Sequence, residues 1–204
     1  MEFLSNTNVQ FYLLAYLIGS IPFGLLLAKQ FAKVDIKKEG SGNIGATNVL
    51  RVVKEKDPAL AKKLSIATLV LDALKGVAVL LAGQMAGLSQ EALWAIAVLA
   101  VVGHCFSLFL WGEGGKGVAT GLGVLLYMLP LAALIGILVW AFSAKVLKVS
   151  SLASLLGLAA VVIASFVLYP QMAHAPILFI GFIILYKHTD NILRLFKGEE
   201  VKVA

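Results

Sequence analysis

Residues 118–146, "VATGLGVLLYMLPLAALIGILVWAFSAKV", are a largely apolar run of 29 positions with Pro130 near its middle, and they form either one long helix or two. The choice decides the fold, because one helix gives six membrane spans with both termini on one side, whereas two give seven spans with opposed termini. Basic residues near span ends stay cytoplasmic. The connection Lys29 to Lys63 holds nine of the 17 Lys and Arg, which puts that loop inside, the uncharged-to-acidic Gly83 to Glu91 outside, and Lys116 inside again. A single span through Val146 would then scatter Lys145, Lys148 and the basic C-terminus over both sides. Two spans meeting near Pro130 return them to the cytoplasm. Proline disfavours helix in the residue before it, so Leu129-Pro130 reads as the apex of a hairpin. The first arm, Gly117 to Leu129, is then roughly 20 Å long at 1.5 Å per residue and must begin below the membrane surface.

The rest of the composition demands the same solvent. The 204 residues are 60% hydrophobic and 14% charged, and the mean hydropathy is +0.95, far more apolar surface than a soluble chain of this length encloses. Hydropathy places further spans at about Phe11 to Ala28, Leu64 to Ala86, Ala92 to Trp111, Ser151 to Tyr169 and Ala175 to Lys187. The expected architecture is therefore all-α, a polytopic bundle of seven transmembrane helices with one of them short, N-terminus outside and C-terminus cytoplasmic. No repeat or linker divides it, so residues 1–204 read as a single integral-membrane domain. The first ten residues lack Lys and Arg and no small-residue cleavage site follows, so the first span is expected to stay as an anchor. A single cysteine, Cys105, excludes an internal disulfide framework or Cys-based metal spacing and reads as a packing residue.

Against this apolar background three polar islands stand out, "GSGNIGATNVLR" (40–51), "GEGGKG" (112–117) and "KHTDN" (187–191), and the seven-span topology opens all three on the cytoplasmic side. Each combines small hydrogen-bonding side chains or Gly backbones with a cation, the chemistry that suits an anion. In the first, Ser41, Gly42, Asn43, Thr47 and Asn48 form a cradle closed by Arg51. In the second, Gly112, Gly114, Gly115 and Gly117 run with Lys116 into the start of the short helix, where backbone N–H groups and the positive helix end favour a phosphate. In the third, His188 and Asn191 sit at a span end beside Lys187, Asp190 and Arg194. Both "GSGNIG" and "GEGGKG" satisfy G-x-G-x-x-G, but neither follows a strand in a βαβ unit as the dinucleotide fingerprint requires. Leu110 stands where a phosphate-binding P-loop needs its first Gly, and no G-x-S-x-G elbow is present.

Other charges have simpler readings. Lys33, Lys37, Lys38, Lys54 and Lys56 serve as positive-inside charge. Asp72 and Lys75, three apart within a span, are either a self-neutralising pair or support for the floor of an active site. His104 reads as a buried hydrogen-bonding partner, and His174 belongs to an outer loop. Ser150, Ser151 and Ser154 cap the sixth span, with Ser154 also a candidate phosphate contact.

Taken together, "GSGNIGATNVLR", "GHCFSLFLWGEGGKGVAT" and "YKHTDNILRLFKG", in this order and with "LDALKG" between the first two, resemble the signatures of the bacterial acyl-phosphate:glycerol-3-phosphate acyltransferase family over nearly the whole chain. The resemblance implies seven transmembrane helices in the bacterial cytoplasmic (inner) membrane and an active site facing the cytoplasm. It implies transfer of a fatty acyl group from acyl phosphate to glycerol 3-phosphate, giving lysophosphatidate and phosphate, the first acylation of phospholipid synthesis. By the same resemblance Ser41, Arg51, Lys116 and His188 match residues of catalysis or substrate binding, Asn43, Asn191 and Ser154 match further contacts, and Gly112, Gly114, Gly115 and Gly117 match the glycine loop. No cofactor, metal or nucleic acid is expected; membrane lipid surrounds the chain, and a soluble enzyme that makes acyl phosphate is a partner by family analogy. The proton of the attacking hydroxyl has two acceptors, His188 or a substrate phosphate. A transporter of organic anions or phosphate would also combine apolar spans with basic polar islands. Its islands should alternate in access, and no inverted repeat appears here.

Overall fold

The computed structural model describes residues 5–202, and among these the regular structure is entirely helical. The chain divides into two compact units, Met1–Val124 and Leu125–Ala204.

In the first unit, α1 (Thr7–Gly19) starts on Asn6, whose side chain accepts from the amides of Asn8 and Val9. Pro22 has no N–H to continue the ladder and restricts Ile21, so the helix stops and resumes as α2, Phe23–Leu27 with a π turn over Ala28–Ala32. The span expected to run unbroken from Phe11 to Ala28 is thus two helices bent by 40°. Such a break is tolerated at membrane depth only if its backbone groups find partners. Here they do: Ser107 Oγ donates to Ser20 O at 2.6 Å and Lys75 Nζ to Ile21 O at 2.9 Å, while Tyr16 Oη holds the neighbouring segment through Phe106 O at 2.9 Å. Small residues permit the approach, since a methyl at Gly19 would meet the backbone of Ala100 and one at Gly103 the carbonyl of Tyr16.

Helix α3 (Ala46–Lys54) is amphipathic, with Asn48, Val49, Val52 and Val53 buried and Thr47 and Lys54 exposed. Its valines join Leu25, Ile36, Ile44 and Leu64 in one core, which explains why a stretch read as a polar loop contains an ordered helix. Helix α4 (Pro58–Met85) begins six residues earlier than hydropathy alone suggested. Asp57 accepts from the amides of Ala59 and Leu60, both at 2.9 Å, and Pro58 fits the first helical position. After a short turn, α5 (Gln90–Cys105) is capped by Ser89.

Helix α6 (Val118–Met128) is 11 residues long and α7 (Pro130–Leu147) starts on the proline, so the 29-residue apolar run is divided where the sequence divides it. In the second unit α7 packs on α8 (Ser150–Leu168), where Gly136 and Gly157 let the two backbones approach. Helices α9 (Ala175–Lys187) and α10 (Thr189–Lys197) follow. Among the described residues four helices are long and apolar enough to cross a membrane, five with the bent α1–α2 pair, while α6 and α9 are shorter apolar helices.

Candidate active site

The first unit holds two of the polar islands. Residues Glu39 to Asn43 make a tight turn that needs the left-handed backbone of Gly40 (φ 62°) and Gly42 (φ 69°). Asn48, 2% exposed, organises it. Its Oδ1 accepts from the Ser41 amide at 2.8 Å, and its Nδ2 lies 2.9 Å from Ile36 O, 3.2 Å from Glu39 O and 2.8 Å from Asn43 O. The loop therefore owes its shape to one buried amide, whereas Ser41 and Thr47 are exposed at its surface and Asn43 turns its Oδ1 to the Gly45 amide at 2.8 Å. Arg51 lies one turn further along α3, half-buried, and among the described residues it forms no ion pair. Asn48→Leu should lower thermal stability by about 2–3 kcal/mol, because several loop groups lose their partner at once. Differential scanning of the detergent-solubilised protein measures this, and an unchanged Tm would show that the loop is held by other means.

The glycine island folds back over the end of α5. Gly115 N donates to His104 O at 2.9 Å and Gly114 N to Cys105 O at 3.2 Å, so the loop satisfies the carbonyls that the end of a helix leaves open. A methyl at Gly114 would collide with the His104 carbonyl, and one at Gly115 with the His104 ring. Gly112 N is likewise bound, to Ser107 O at 2.9 Å. The sequence suggested that these glycine N–H groups point at an anion, but Gly112, Gly114 and Gly115 instead spend them on the chain itself. Their role is to bring Lys116 and Gly117 (φ 82°) to the start of α6, whose first turn carries the amides that a helix leaves unpaired. Lys37 Nζ, in the segment that precedes the first island, meets Glu113 Oε2 of the second at 2.7 Å. Asp35 accepts from Lys37 N at 3.1 Å and pairs with Lys29 at 3.2 Å; burial raises its pKa, but these contacts outweigh it and hold the carboxyl below its usual value.

Beneath these loops, Asp72 and Lys75 near the middle of α4 meet His104 of α5. Lys75 Nζ lies 2.9 Å from Asp72 Oδ1, from His104 Nδ1 and from Ile21 O, the carbonyl next to the Pro22 break. The ionic pair is thus not merely self-neutralising, since it also satisfies the broken helix.

The second unit holds the third island. His188 is buried at the junction of α9 and α10, and its Nδ1 lies 2.8 Å from Ile184 O. A carbonyl only accepts, so in this contact Nδ1 carries the proton. Glu200, which the sequence did not single out, gathers three side chains: Asn191 Nδ2 at 2.5 Å, Ser151 Oγ at 2.7 Å and Arg194 Nε at 2.7 Å. It bolts α10 to the first turn of α8. The serines do not cap that helix; the N-cap position is Val149, and Ser154 Oγ donates to Ser150 O at 2.9 Å. Burial raises the pKa of Glu200, yet the donors from Ser151, Asn191 and Arg194 outweigh it and the pKa is lowered from 4.5. A carboxyl with a depressed folded pKa stabilises above its unfolded value and loses that contribution as pH falls through the folded one. Glu200→Gln should therefore cost about 1–2 kcal/mol at neutral pH, and its difference from the parent should vanish in acid below the depressed pKa. Thermal melts at both pH values test this; an equal deficit at both would contradict it.

Comparison with known proteins places these features in context. The family model described as glycerol-3-phosphate acyltransferase matches residues 9–198. Among similar proteins, the "Glycerol-3-phosphate acyltransferase" of Sulfurimonas denitrificans is 64% identical over 204 residues, covering all of both chains. That of Aliarcobacter butzleri is 63% identical over 206 residues, again covering all of both. Crystal structures of PlsY (YgiH), an integral membrane glycerol 3-phosphate acyltransferase, superpose with TM-scores of 0.86 for the glycerol 3-phosphate form and 0.85 for the lysophosphatidic acid form. Both are 36% identical and cover 98% of this chain and 96% of theirs.

Proposed function

The chain belongs to the glycerol-3-phosphate acyltransferase family, and we propose that it transfers a fatty acyl group from acyl phosphate to glycerol 3-phosphate, releasing lysophosphatidate and phosphate. The observation that carries the reading is the pairing of a cation-closed turn (Ser41 to Arg51) with a glycine loop that delivers Lys116 to a helix start. These are two anion seats in one unit. The reaction has two phosphorylated substrates.

An acyl phosphate is a mixed anhydride, already activated, so the chemistry needs no covalent acyl-enzyme and positioning supplies most of the acceleration. The glycerol hydroxyl oxygen attacks the carbonyl carbon, the bond from that carbon to the bridging phosphate oxygen breaks, and phosphate departs with the electron pair. Arg51 and Lys116 offset the repulsion between the two phosphates and stabilise the leaving group. Ser41, Asn43 and Thr47 supply donors at the turn, Asn48 and Gly42 set its shape, and Gly112, Gly114, Gly115 and Gly117 set that of the loop. By the family resemblance Ser154, His188 and Asn191 are further substrate-binding residues, and the hydroxyl proton passes to His188 or to a substrate phosphate oxygen. The site faces the cytoplasm. Seven helices cross the inner membrane, counting the bent pair as one span and including the short α6 and α9, with the N-terminus outside and the C-terminus inside. The whole chain acts as one acyltransferase domain, and a soluble enzyme that forms acyl phosphate supplies its donor.

Direct attack makes a kinetic prediction. Acyl phosphate alone should release no burst of phosphate in proportion to enzyme, whereas adding glycerol 3-phosphate starts steady release matched by lysophosphatidate. A stoichiometric burst without acceptor would indicate a covalent intermediate and refute the mechanism.

A further inference from the structure

The contacts around Lys75 fix more than the stability of α4. Asp72, Lys75 and His104 expose 3%, 2% and 4% of their side chains, in the apolar middle of the first unit, where a net charge is costly. An ammonium has three N–H donors and no acceptor, and Lys75 has three acceptors at 2.9 Å: Asp72 Oδ1, Ile21 O and His104 Nδ1. Its charge also faces the Phe23 ring at 5.9 Å. With Asp72 ionised, two proton placements leave the cluster neutral. In one, ammonium Lys75 donates to a neutral His104 whose only proton is on Nε2. In the other, imidazolium His104 donates through Nδ1 to the amine of Lys75 and keeps its second proton on Nε2. Both put a hydrogen on Nε2.

That nitrogen faces the glycine loop. A methyl added to Gly115 would lie against Nε2, 2.9 Å from Cε1 and 3.1 Å from Cδ2, so the loop backbone rests directly on this edge of the ring. His104 and Cys105 also offer the carbonyls that Gly115 N and Gly114 N take up, so one residue receives the loop with both its backbone and its ring. We propose that His104 is a positioning residue for the acyl-transfer reaction, held by Asp72 and Lys75 with its protonated Nε2 edge packed against Gly115, so that the loop presents Lys116 and the first turn of α6 to a substrate phosphate. The proposal rests on the reading of that loop as a phosphate seat, and it assigns a function to a buried cluster that the reaction does not otherwise use. It also accounts for the glycine at 115, where any side chain would displace the imidazole.

The test is an imidazole-nitrogen NMR spectrum of the full chain in detergent with 15N-labelled histidine. There are three histidines, and the His104 signals are those missing from His104→Gln. The expected result is a protonated Nε2 whose resonance shifts and saturates on adding inorganic phosphate or glycerol 3-phosphate, with the shift lost in Lys116→Ala. In kinetics, His104→Leu should raise KM for glycerol 3-phosphate about tenfold with a smaller change in kcat, as the loop loses the ring edge that places it. His104→Gln, which retains an N–H near the same place, should recover part of it. A bare Nε2, or a protonated Nε2 indifferent to both anions, would overturn the proposal, as would equal KM for the Leu and Gln variants. The spectrum is read without turnover. A protonated, phosphate-responsive Nε2 in a protein that makes no lysophosphatidate would sink the acyltransfer reading and leave the loop assignment standing.

Discussion

Arg51→Ala and Lys116→Ala should each reduce acyl transfer at least about a hundredfold, the loss seen when one preorganised donor to a developing anion is removed. Neither change should unfold the protein. Arg51 is half-buried on the polar side of α3, opposite the valines that build the core, and it forms no ion pair among the described residues. Lys116 lies in a loop whose fold is set by Gly114, Gly115 and their bonds to α5. Size-exclusion chromatography should therefore show monodisperse variants with parental yield, while lysophosphatidate formation collapses. Arg51→Lys should recover only a fraction, since an ammonium cannot make the two parallel hydrogen bonds by which a guanidinium grips a phosphate. Rates near the parent for either alanine variant would remove that cation from the mechanism.

Lys75→Met should be severe for a different reason. It leaves the Asp72 carboxylate buried without its cation and takes a donor away from Ile21 O at the helix break, and breaking one partner of a buried pair costs about 3–5 kcal/mol. The expected outcome is a low yield of folded protein and a large drop in Tm. The double variant Asp72→Leu/Lys75→Met should regain much of that loss, because removing both charges removes the penalty of the orphan. It should still bind glycerol 3-phosphate poorly, since His104 then has nothing to hold its Nδ1. A fluorescence-detected thermal melt of the three proteins measures the cycle. If the double variant is as unstable as the single, the cost lies in packing and not in charge.

Much of this was legible in the sequence because each feature has one dominant physical cause. Pro130 lacks an N–H and divides the long apolar run whatever surrounds it. The break at Pro22 carried the same local signal, but the apolar residues on both sides made the hydropathy continuous and hid it. Helix α3 was hidden by the Gly and Asn residues that precede it, although Val49, Val52 and Val53 have helical spacing. What could not be read was which hydrogen bond each polar group makes. Asn48 looked like a ligand group and proves to be the knot of its own loop; the glycine amides looked like anion donors and cap α5 instead. Glu200 sits in an ordinary charged tail, and only the return of the chain past Asn191 to Ser151 gives it a role. Such pairings link residues up to 90 positions apart, beyond the reach of any local pattern.

The central claim is that the polar islands serve a reaction between two phosphorylated substrates. Its most direct test supplies the purified protein in detergent with palmitoyl phosphate and glycerol 3-phosphate and follows both products. The account predicts lysophosphatidate and inorganic phosphate in equal amounts, with no lysophosphatidate when the acyl donor is a thioester. Product from the thioester alone, or none from either donor while sealed proteoliposomes take up glycerol 3-phosphate, would contradict it.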